Sequence, residues 1–269
     1  MQTVDFFSLY TLNYNLDCVF AMRQNWKQKG FYNKNHPRST GCLLYFVGCA
    51  GEYRENRRSF TVPKGSVVYI PEGSVYKTRF FDFDGGEVDT ILIEFSLLRP
   101  DNERFNVADK ITVVKKGRDA LLHQLFVQAA DEQSAAMVST ASMKAVIYQI
   151  LNHLSRAQRQ KKLRSKRFYP IAEGITYLET DPGQEKSIQE IAKMCFVSPA
   201  TFRRLFKEYA GVSPVEYRIA ARIEYAKNLL RLGTMTTTEV AREVGFEDPA
   251  YFCRIFKKRC GVSPGQYLK

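Results

Sequence analysis

The sequence predicts an α+β protein of two domains, with a β-rich N-terminal half and an all-helical C-terminal third. Short β-forming runs separated by Gly, Pro and Asn occupy residues 40–98, and a helical period of apolar residues begins near residue 117. The segment "PATFRRLFKEYAGVSP" at 199–214 recurs as "PAYFCRIFKKRCGVSP" at 249–264. A chain of 269 residues is long enough for two domains with separate cores.

The β-rich half contains the runs "CLLYFVG", "SVVYIPEG" and "DTILIEFSLL". Each is short, rich in branched and aromatic residues and bounded by turn-forming residues, which is typical of a buried strand. Many short strands with this punctuation predict a small barrel or a roll of two sheets.

Two helices are predicted after residue 117. The first has an apolar face along its length, and the residues that form this face are Leu121, Leu122, Leu125, Phe126 and Ala129. The second carries a seam at steps of four, three and four residues, formed by Met143, Ile147, Ile150 and Leu154. The seam has two interpretations: it packs on the β structure, or it is exposed and forms a dimer.

A basic segment, "RAQRQKKLRSKR" at 156–167, separates the two halves. A charge run with little apolar content is typical of a linker or a solvated helix end, and contact with phosphates is the alternative. We expect a domain at 1–160, a basic linker at 161–168 and a second domain at 169–269. Residues 161–269 hold 20 Lys and Arg against 12 Asp and Glu, which favours a polyanionic partner.

Each copy of the repeated segment, taken together with the residues just before it, predicts two short helices joined by a tight turn. Ser187 and Glu190 form an S-x-x-E capping box in the first copy, and Thr236 and Glu239 repeat it in the second. The second helices begin at Pro199 and Pro249, bury their Phe residues and expose Arg and Lys. This is a DNA-reading geometry.

The stretch between the copies, "VEYRIAARIEYAKNLLRLGT", predicts one helix of about four turns. If both exposed helices enter the major groove on one face of DNA, they should lie roughly 34 Å apart.

With these motifs, the sequence resembles the AraC/XylS family of bacterial transcription regulators. The resemblance is strongest in "EVAREVGFEDPAYFCRIFKKRCGVSPGQYLK" and "YRIAARIEYAKNLL", and it covers about residues 168–269. Phe196 departs from the pattern, because a turn glycine is expected there, as at Gly245. The stretch "FTVPKGSVVYIPEGSVY" resembles the family's cupin-like effector domain, with Tyr76 at the common His position.

The resemblance implies an N-terminal cupin-like β-barrel or jelly roll with helices of its own, followed by two helix-turn-helix motifs. It also implies DNA-binding residues, which in the first copy are Ala200, Thr201, Arg203, Arg204 and Lys207. In the second copy they are Ala250, Tyr251, Cys253, Arg254, Lys257 and Lys258. The arginines are candidates for bidentate bonds to guanine, with phosphate contact as the alternative, and the lysines are assigned to phosphates.

The implied partners are double-stranded promoter or operator DNA, RNA polymerase, a second copy of the chain and a small-molecule effector, with a sugar as the candidate. The effector residues expected are Trp26, Arg38, Tyr45 and Tyr76. Packing in the core is the alternative for Trp26, and the barrel could be empty and serve only for dimerisation. The resemblance implies a cytoplasmic, nucleoid-associated regulator, with an activator expected and a repressor left open; no membrane contact, cofactor or metal is expected.

Two other functions are weighed against this one. A cupin isomerase or a repair methyltransferase would need metal ligands or an activated thiol. The chain has three His in total, and Cys42 and Cys49 lie in apolar strand-like runs, so neither enzyme is expected. A regulator without any ligand is the third possibility. No signal peptide is expected from the N-terminal residues, and the six cysteines are expected to be reduced thiols.

Overall fold

The structure is a computed structural model that describes residues 2–3, 6, 9, 12–26, 32–55, 57–82, 88–180 and 186–267. Two compact units divide the chain, 1–160 and 161–269. The N-terminal arm expected at about 1–20 lies partly outside the described residues.

The described strands are β1 (Gln2–Thr3), β2 (Asn15–Trp26), β3 (Tyr32–Lys34), β4 (Gly41–Phe46), β5 (Ala50–Glu55), β6 (Arg58–Val62), β7 (Val67–Ile70), β8 (Tyr76–Phe81), β9 (Val88–Leu98), β10 (Arg104–Asn106) and β11 (Thr112–Lys115). The described helices are α1 (Ala120–Ser134), α2 (Thr140–Leu163), α3 (Ala172–Thr180), α4 (Ile188–Met194), α5 (Pro199–Ala210), α6 (Pro214–Leu232), α7 (Thr237–Glu243), α8 (Pro249–Cys260) and α9 (Pro264–Tyr267).

The N-terminal unit is mostly sheet, as the sequence predicts, but the described strands form no closed barrel. A large sheet has the order β1-β10-β9-β4-β7-β11, with β2 paired to β9, and a small sheet has the order β3-β8-β5-β6. The large sheet is covered on both faces, which a barrel wall around a single interior would not be. This is why all six residues of β4 are buried.

Alternation along β4 assigns its side chains to two different cores. Leu43 and Tyr45 belong to a cluster with α1 and α2, while Leu44 and Phe46 belong to a cluster with Tyr53 and other residues of the small sheet. The large sheet therefore lies between two helices on one side and the small sheet on the other.

The apolar seam of α2 packs inside the N-terminal unit. Met143, Ile147 and Ile150 have no exposed surface, and Leu154 is 1% exposed. The interpretation of this seam as an exposed dimer interface is therefore wrong, because its residues already cover the large sheet. Helix α2 continues through residues 161–163, the first residues of the expected linker.

The C-terminal unit contains two similar helix pairs, α4 with α5 and α7 with α8, on either side of α6. Phe202 and Phe206 are fully buried in the first pair, and Phe252 and Phe256 are fully buried in the second. Burial of these rings holds the opposite face of α5 and of α8 toward solvent. The connecting helix α6 spans 19 residues, somewhat longer than the four turns expected.

Candidate nucleic-acid interface and ligand cavity

The first helix of each pair begins with the predicted capping box. The Ser187 hydroxyl accepts a hydrogen bond from the Glu190 amide at 3.2 Å, and the Glu190 carboxylate accepts one from the Ser187 amide at 2.7 Å. Thr236 and Glu239 make the same two bonds in the second pair. The hydrogen bonds from the side chain and then the amide of Ser187 lower the pKa of Glu190. Each box pairs two amides that the first turn of a helix would leave free.

The turns of the two pairs have the same geometry, although one contains Phe and the other Gly. In the first, the Phe196 amide donates to the Lys193 carbonyl at 3.0 Å and the Val197 amide donates to the Ala192 carbonyl at 3.1 Å. In the second, Gly245 and the residue after it make the equivalent bonds. These two bonds define a Schellman motif, whose closing residue has a left-handed backbone. Phe196 takes φ +54° and Gly245 takes φ +81°.

Helix α5 presents the predicted residues of the first copy together on one surface. Ala200, Arg203, Arg204 and Lys207 are exposed, and Thr201 is half-buried. The Ser198 hydroxyl caps this helix by accepting from the Thr201 amide at 3.1 Å, and it donates to the Thr201 hydroxyl at 2.9 Å. The Thr201 hydroxyl therefore already has a partner at the N-terminus of the helix.

Helix α8 carries the predicted DNA-binding residues of the second copy, which differ in type from those on α5. Ala250, Tyr251, Arg254, Lys257 and Lys258 are exposed, and Cys253 is half-buried. The Arg254 guanidinium lies 6.0 Å from the centre of the Tyr251 ring, at the outer limit of a cation–π contact. The Tyr251 ring in turn packs against Phe246, 6.0 Å between ring centres. Tyr251 thus links the exposed arginine to the turn of its helix pair.

Connecting helix α6 fixes the second turn through contacts that the sequence analysis missed. The Arg222 side chain donates to the Gly245 carbonyl and lies over the Phe246 ring. A third capping box, Ser213 with Glu216, starts α6. This box has the same S-x-x-E spacing as the other two, so the sequence did carry its signal, whereas the contacts of Arg222 leave no local pattern.

Three of the four predicted effector residues surround one cavity in the N-terminal unit. Trp26, Arg38 and Tyr76 line a space of about 190 Å³ between the large and the small sheet. Tyr45 does not line it, because consecutive residues of a strand point to opposite faces, and Leu44 lines the cavity in its place. The Tyr45 hydroxyl instead lies 3.3 Å from His123 Nδ1 on α1.

Arg38 is held in place at the wall of this cavity. One terminal nitrogen donates to the Tyr76 hydroxyl at 3.2 Å, and the other pairs with the Glu94 carboxylate. Burial raises the pKa of Tyr76 to about 12, so its hydroxyl stays protonated. The Trp26 indole donates to the Thr90 hydroxyl at 2.8 Å and stacks on Phe80, 4.5 Å between ring centres. Trp26 therefore packs in the core and also lines the cavity.

The thiols considered as nucleophiles lie in the core. Cys42 and Cys49 have no exposed surface, and burial raises the pKa of each to about 12. A nucleophilic thiol is activated by a lowered pKa, so the surroundings of these two oppose that role. Among the described residues, no group of three His, Cys, Asp or Glu is placed to hold a metal ion.

Comparison with known proteins identifies the C-terminal unit. The family model for a helix-turn-helix domain matches residues 191–269. An AraC-like transcription regulator of Streptomyces antibioticus is 33% identical over 76 residues, which cover 28% of this chain and 25% of that protein. The chain belongs to the AraC family of transcriptional regulators.

Two further similarities extend the comparison of this AraC-family chain. The uncharacterized regulator YijO of Escherichia coli is 24% identical over 206 residues, 73% of this chain and 70% of that protein. The solved C-terminal domain of the response regulator yesN of Fusobacterium nucleatum is 30% identical and covers 39% of this chain and 100% of that domain, with a TM-score of 0.34. The chain thus spans about a quarter of its Streptomyces relative. None of the described helices is long and apolar enough to cross a membrane.

Proposed function

We propose that this AraC-family regulator reads a two-part DNA site with α5 and α8, under the control of a small molecule bound between its two sheets. The observation that carries the proposal is the shared construction of the two helix pairs. In each pair, the second helix buries two Phe residues on one face and exposes Arg and Lys side chains on the opposite face. None of the ion pairs found among the described residues involves Arg203, Arg254 or Lys257.

The two exposed surfaces differ where bases would be contacted. Thr201 and Arg203 on α5 correspond to Tyr251 and Cys253 on α8. An arginine that bonds bidentately to guanine distinguishes it from the wrong base by about 1–3 kcal/mol. We therefore assign two half-sites of unlike sequence, with centres about 10 base pairs apart.

Selection from a random duplex library tests this assignment. Full-length protein is incubated with the library, bound duplexes are recovered, and the enriched sequences are read. We expect one enriched motif with two unlike halves, separated by about one helical turn of DNA. Enrichment of a single short half, or of no sequence, would contradict it. The Lys257→Gln variant is the control, because loss of a phosphate contact lowers affinity for all sequences and leaves the motif unchanged.

The effector part of the proposal rests on the cavity between the sheets. A ligand controls DNA binding only if it binds one conformation of the protein more tightly than the other. RNA polymerase and a second copy of the chain complete the proposed partners. The dimer interface would involve surfaces other than the buried seam of α2. Light scattering of the full chain tests the dimer, and a single protomer at all concentrations would exclude it.

A further inference from the structure

The cavity between the two sheets has a marked excess of positive charge in its lining. Lys34 and Arg38 are among the residues that surround it, and no Asp or Glu is among the described residues of the lining. The Glu94 carboxylate pairs with Arg38 from outside the lining and offsets one of the two charges. Lys34 is exposed on β3, and among the described residues it forms no ion pair. Within the described part of the chain, one positive charge of the lining is therefore left without an ion-pair partner.

Buried polar atoms in the same wall have no hydrogen-bond partner in the part of the chain that the structure describes. The Nε–H of Arg38 is out of contact with solvent and has no acceptor within bonding distance among the described residues. The hydroxyls of Tyr53 and Thr78 are neighbours, and neither makes a hydrogen bond of normal geometry. Buried donors without acceptors cost free energy, so unpaired groups at a cavity call for explanation.

Most of the remaining lining is aromatic or aliphatic, and the amide side chains of Gln24 and Asn33 complete it. Trp26, Tyr32 and Phe80 form one aromatic cluster, with Trp26 and Tyr32 4.7 Å apart between ring centres. The indole N–H of Trp26 is already bonded to Thr90, so this side chain offers the cavity an apolar surface. Leu44 and Ile70 extend that surface from the large sheet. At about 190 Å³ the cavity is smaller than the 300–1,000 Å³ usual for ligand pockets.

From this lining we propose that the effector is a compact organic acid, a monocarboxylate with an aromatic or branched aliphatic body. Lys34 and Arg38 hold its carboxylate, and the Trp26 cluster packs on its body. The inference rests on the proposed function and specifies its ligand class. A neutral sugar presents many O–H donors, which carboxylates accept best, and no Asp or Glu is among the described residues that line this cavity. The amide oxygens of Gln24 and Asn33 are the weaker, uncharged acceptors of the lining.

Binding of matched acids and neutral isosteres to the full chain tests this ligand class. Phenylacetate and isovalerate are compared with phenylacetamide, isovaleramide and arabinose by calorimetry and by the concentration dependence of the melting temperature. We expect at least one acid to bind tenfold or more tightly than its amide. The Lys34→Gln variant should lose at least fivefold in affinity for that acid. Lys77→Gln, an exposed lysine of the adjacent strand outside the lining, should bind as the wild type does.

Three results would overturn the inference: equal binding of acid and amide, binding of arabinose alone, or no binding by any of the probes. DNA binding measured on the same samples separates this failure from failure of the proposed function. Arabinose binding with an effect on DNA would keep effector control and reject only the acid. Loss of Lys34 also leaves the Arg38–Glu94 pair intact, so an unfolded variant is not expected to obscure the result.

Discussion

Replacing Phe196 by glycine is expected to stabilise the C-terminal unit. Phe196 closes the Schellman motif after α4 with φ +54°, and its side chain is 96% exposed. A left-handed backbone costs a residue with a Cβ about 1–2 kcal/mol. The exposed ring gains almost nothing from burial that would offset this cost. Glycine removes the strain, but it also raises the conformational entropy of the unfolded chain. That entropy lowers the stability of the folded state by about 0.4–1 kcal/mol. The two ranges leave a net gain of about 0–1.6 kcal/mol, and their midpoints give about 0.8 kcal/mol.

Urea unfolding of the full chain measures this gain. The single tryptophan, Trp26, lies in the N-terminal unit, so its fluorescence follows that unit. Far-ultraviolet circular dichroism follows helices, most of which belong to the C-terminal unit. We expect Phe196→Gly to raise the midpoint seen by dichroism and to leave the fluorescence midpoint unchanged.

Two variants separate backbone strain from the loss of the ring. Phe196→Ala removes the ring but keeps the Cβ, so its stability should stay close to that of the wild type. Gly245→Ala puts a Cβ at the equivalent turn of the second pair, where φ is +81°. Its net cost should be about 0.8 kcal/mol, because left-handed strain of about 1–2 kcal/mol is partly offset by the lower entropy of alanine in the unfolded chain, about 0.4–1 kcal/mol. If Phe196→Gly were no more stable than Phe196→Ala, the reasoning from backbone conformation would be refuted.

Three further predictions concern DNA affinity, capping and pH. Lys258→Gln should weaken binding to all sequences and reduce the slope of log affinity against log salt by about one, as measured by fluorescence anisotropy across a salt series. Ser187→Ala should cost about 1 kcal/mol through loss of the N-cap, and Ser187→Asn should restore most of it in urea unfolding followed by dichroism. Asp119→Ala should destabilise the N-terminal unit by about 2 kcal/mol at neutral pH, because Asp119 caps α1 and bonds His153 at 3.0 Å. Burial raises the pKa of Asp119, but the bonds from His153 and the Leu122 amide outweigh it and lower the pKa overall. As the pH falls below about 4, the wild type should therefore lose the part of this advantage that depends on the charged carboxylate, whereas a difference between the two proteins that does not shrink at lower pH would contradict it.

Local signals in the sequence were enough to predict the helix pairs. Capping boxes, proline at the first helical position and apolar period are all read within a few residues, and both pairs form as these signals predict. The residue at the Schellman position was the exception. The bonds of the turn and the packing of both flanking helices impose the left-handed conformation on Phe196, so its side chain did not change the turn.

Long-range placement is the part that the sequence could not supply. The seam of α2 has the same spacing whether it covers a sheet or a second copy of the chain, and only the fold shows that Met143 and Ile147 face the large sheet. The same holds for Tyr45 and Leu44, which are neighbours in sequence but lie in different cores because a strand alternates. Because side chains alternate between the two faces of a strand, an error of one residue in the predicted position of the strand changes which of the two lines the cavity.

The polar character of the cavity also depends on tertiary structure. Arg38, Tyr53 and Thr78 come from three separate segments, and nothing local relates them. Their lack of partners becomes visible only when the two sheets are placed face to face. The resemblance to the AraC family pointed to Arg38, whereas the unpaired hydroxyls beside it had no signal in the sequence.

The most direct test of two-part DNA reading compares the motifs selected by the wild type and by Arg203→Ala and Arg254→Ala. Each variant removes one exposed guanidinium from one helix, α5 or α8. We predict that Arg203→Ala relaxes base preference in one half of the selected motif only, and that Arg254→Ala relaxes it in the other half only. Relaxation of the same half by both variants, or an unchanged motif in both, would contradict the assignment of one half-site to each helix.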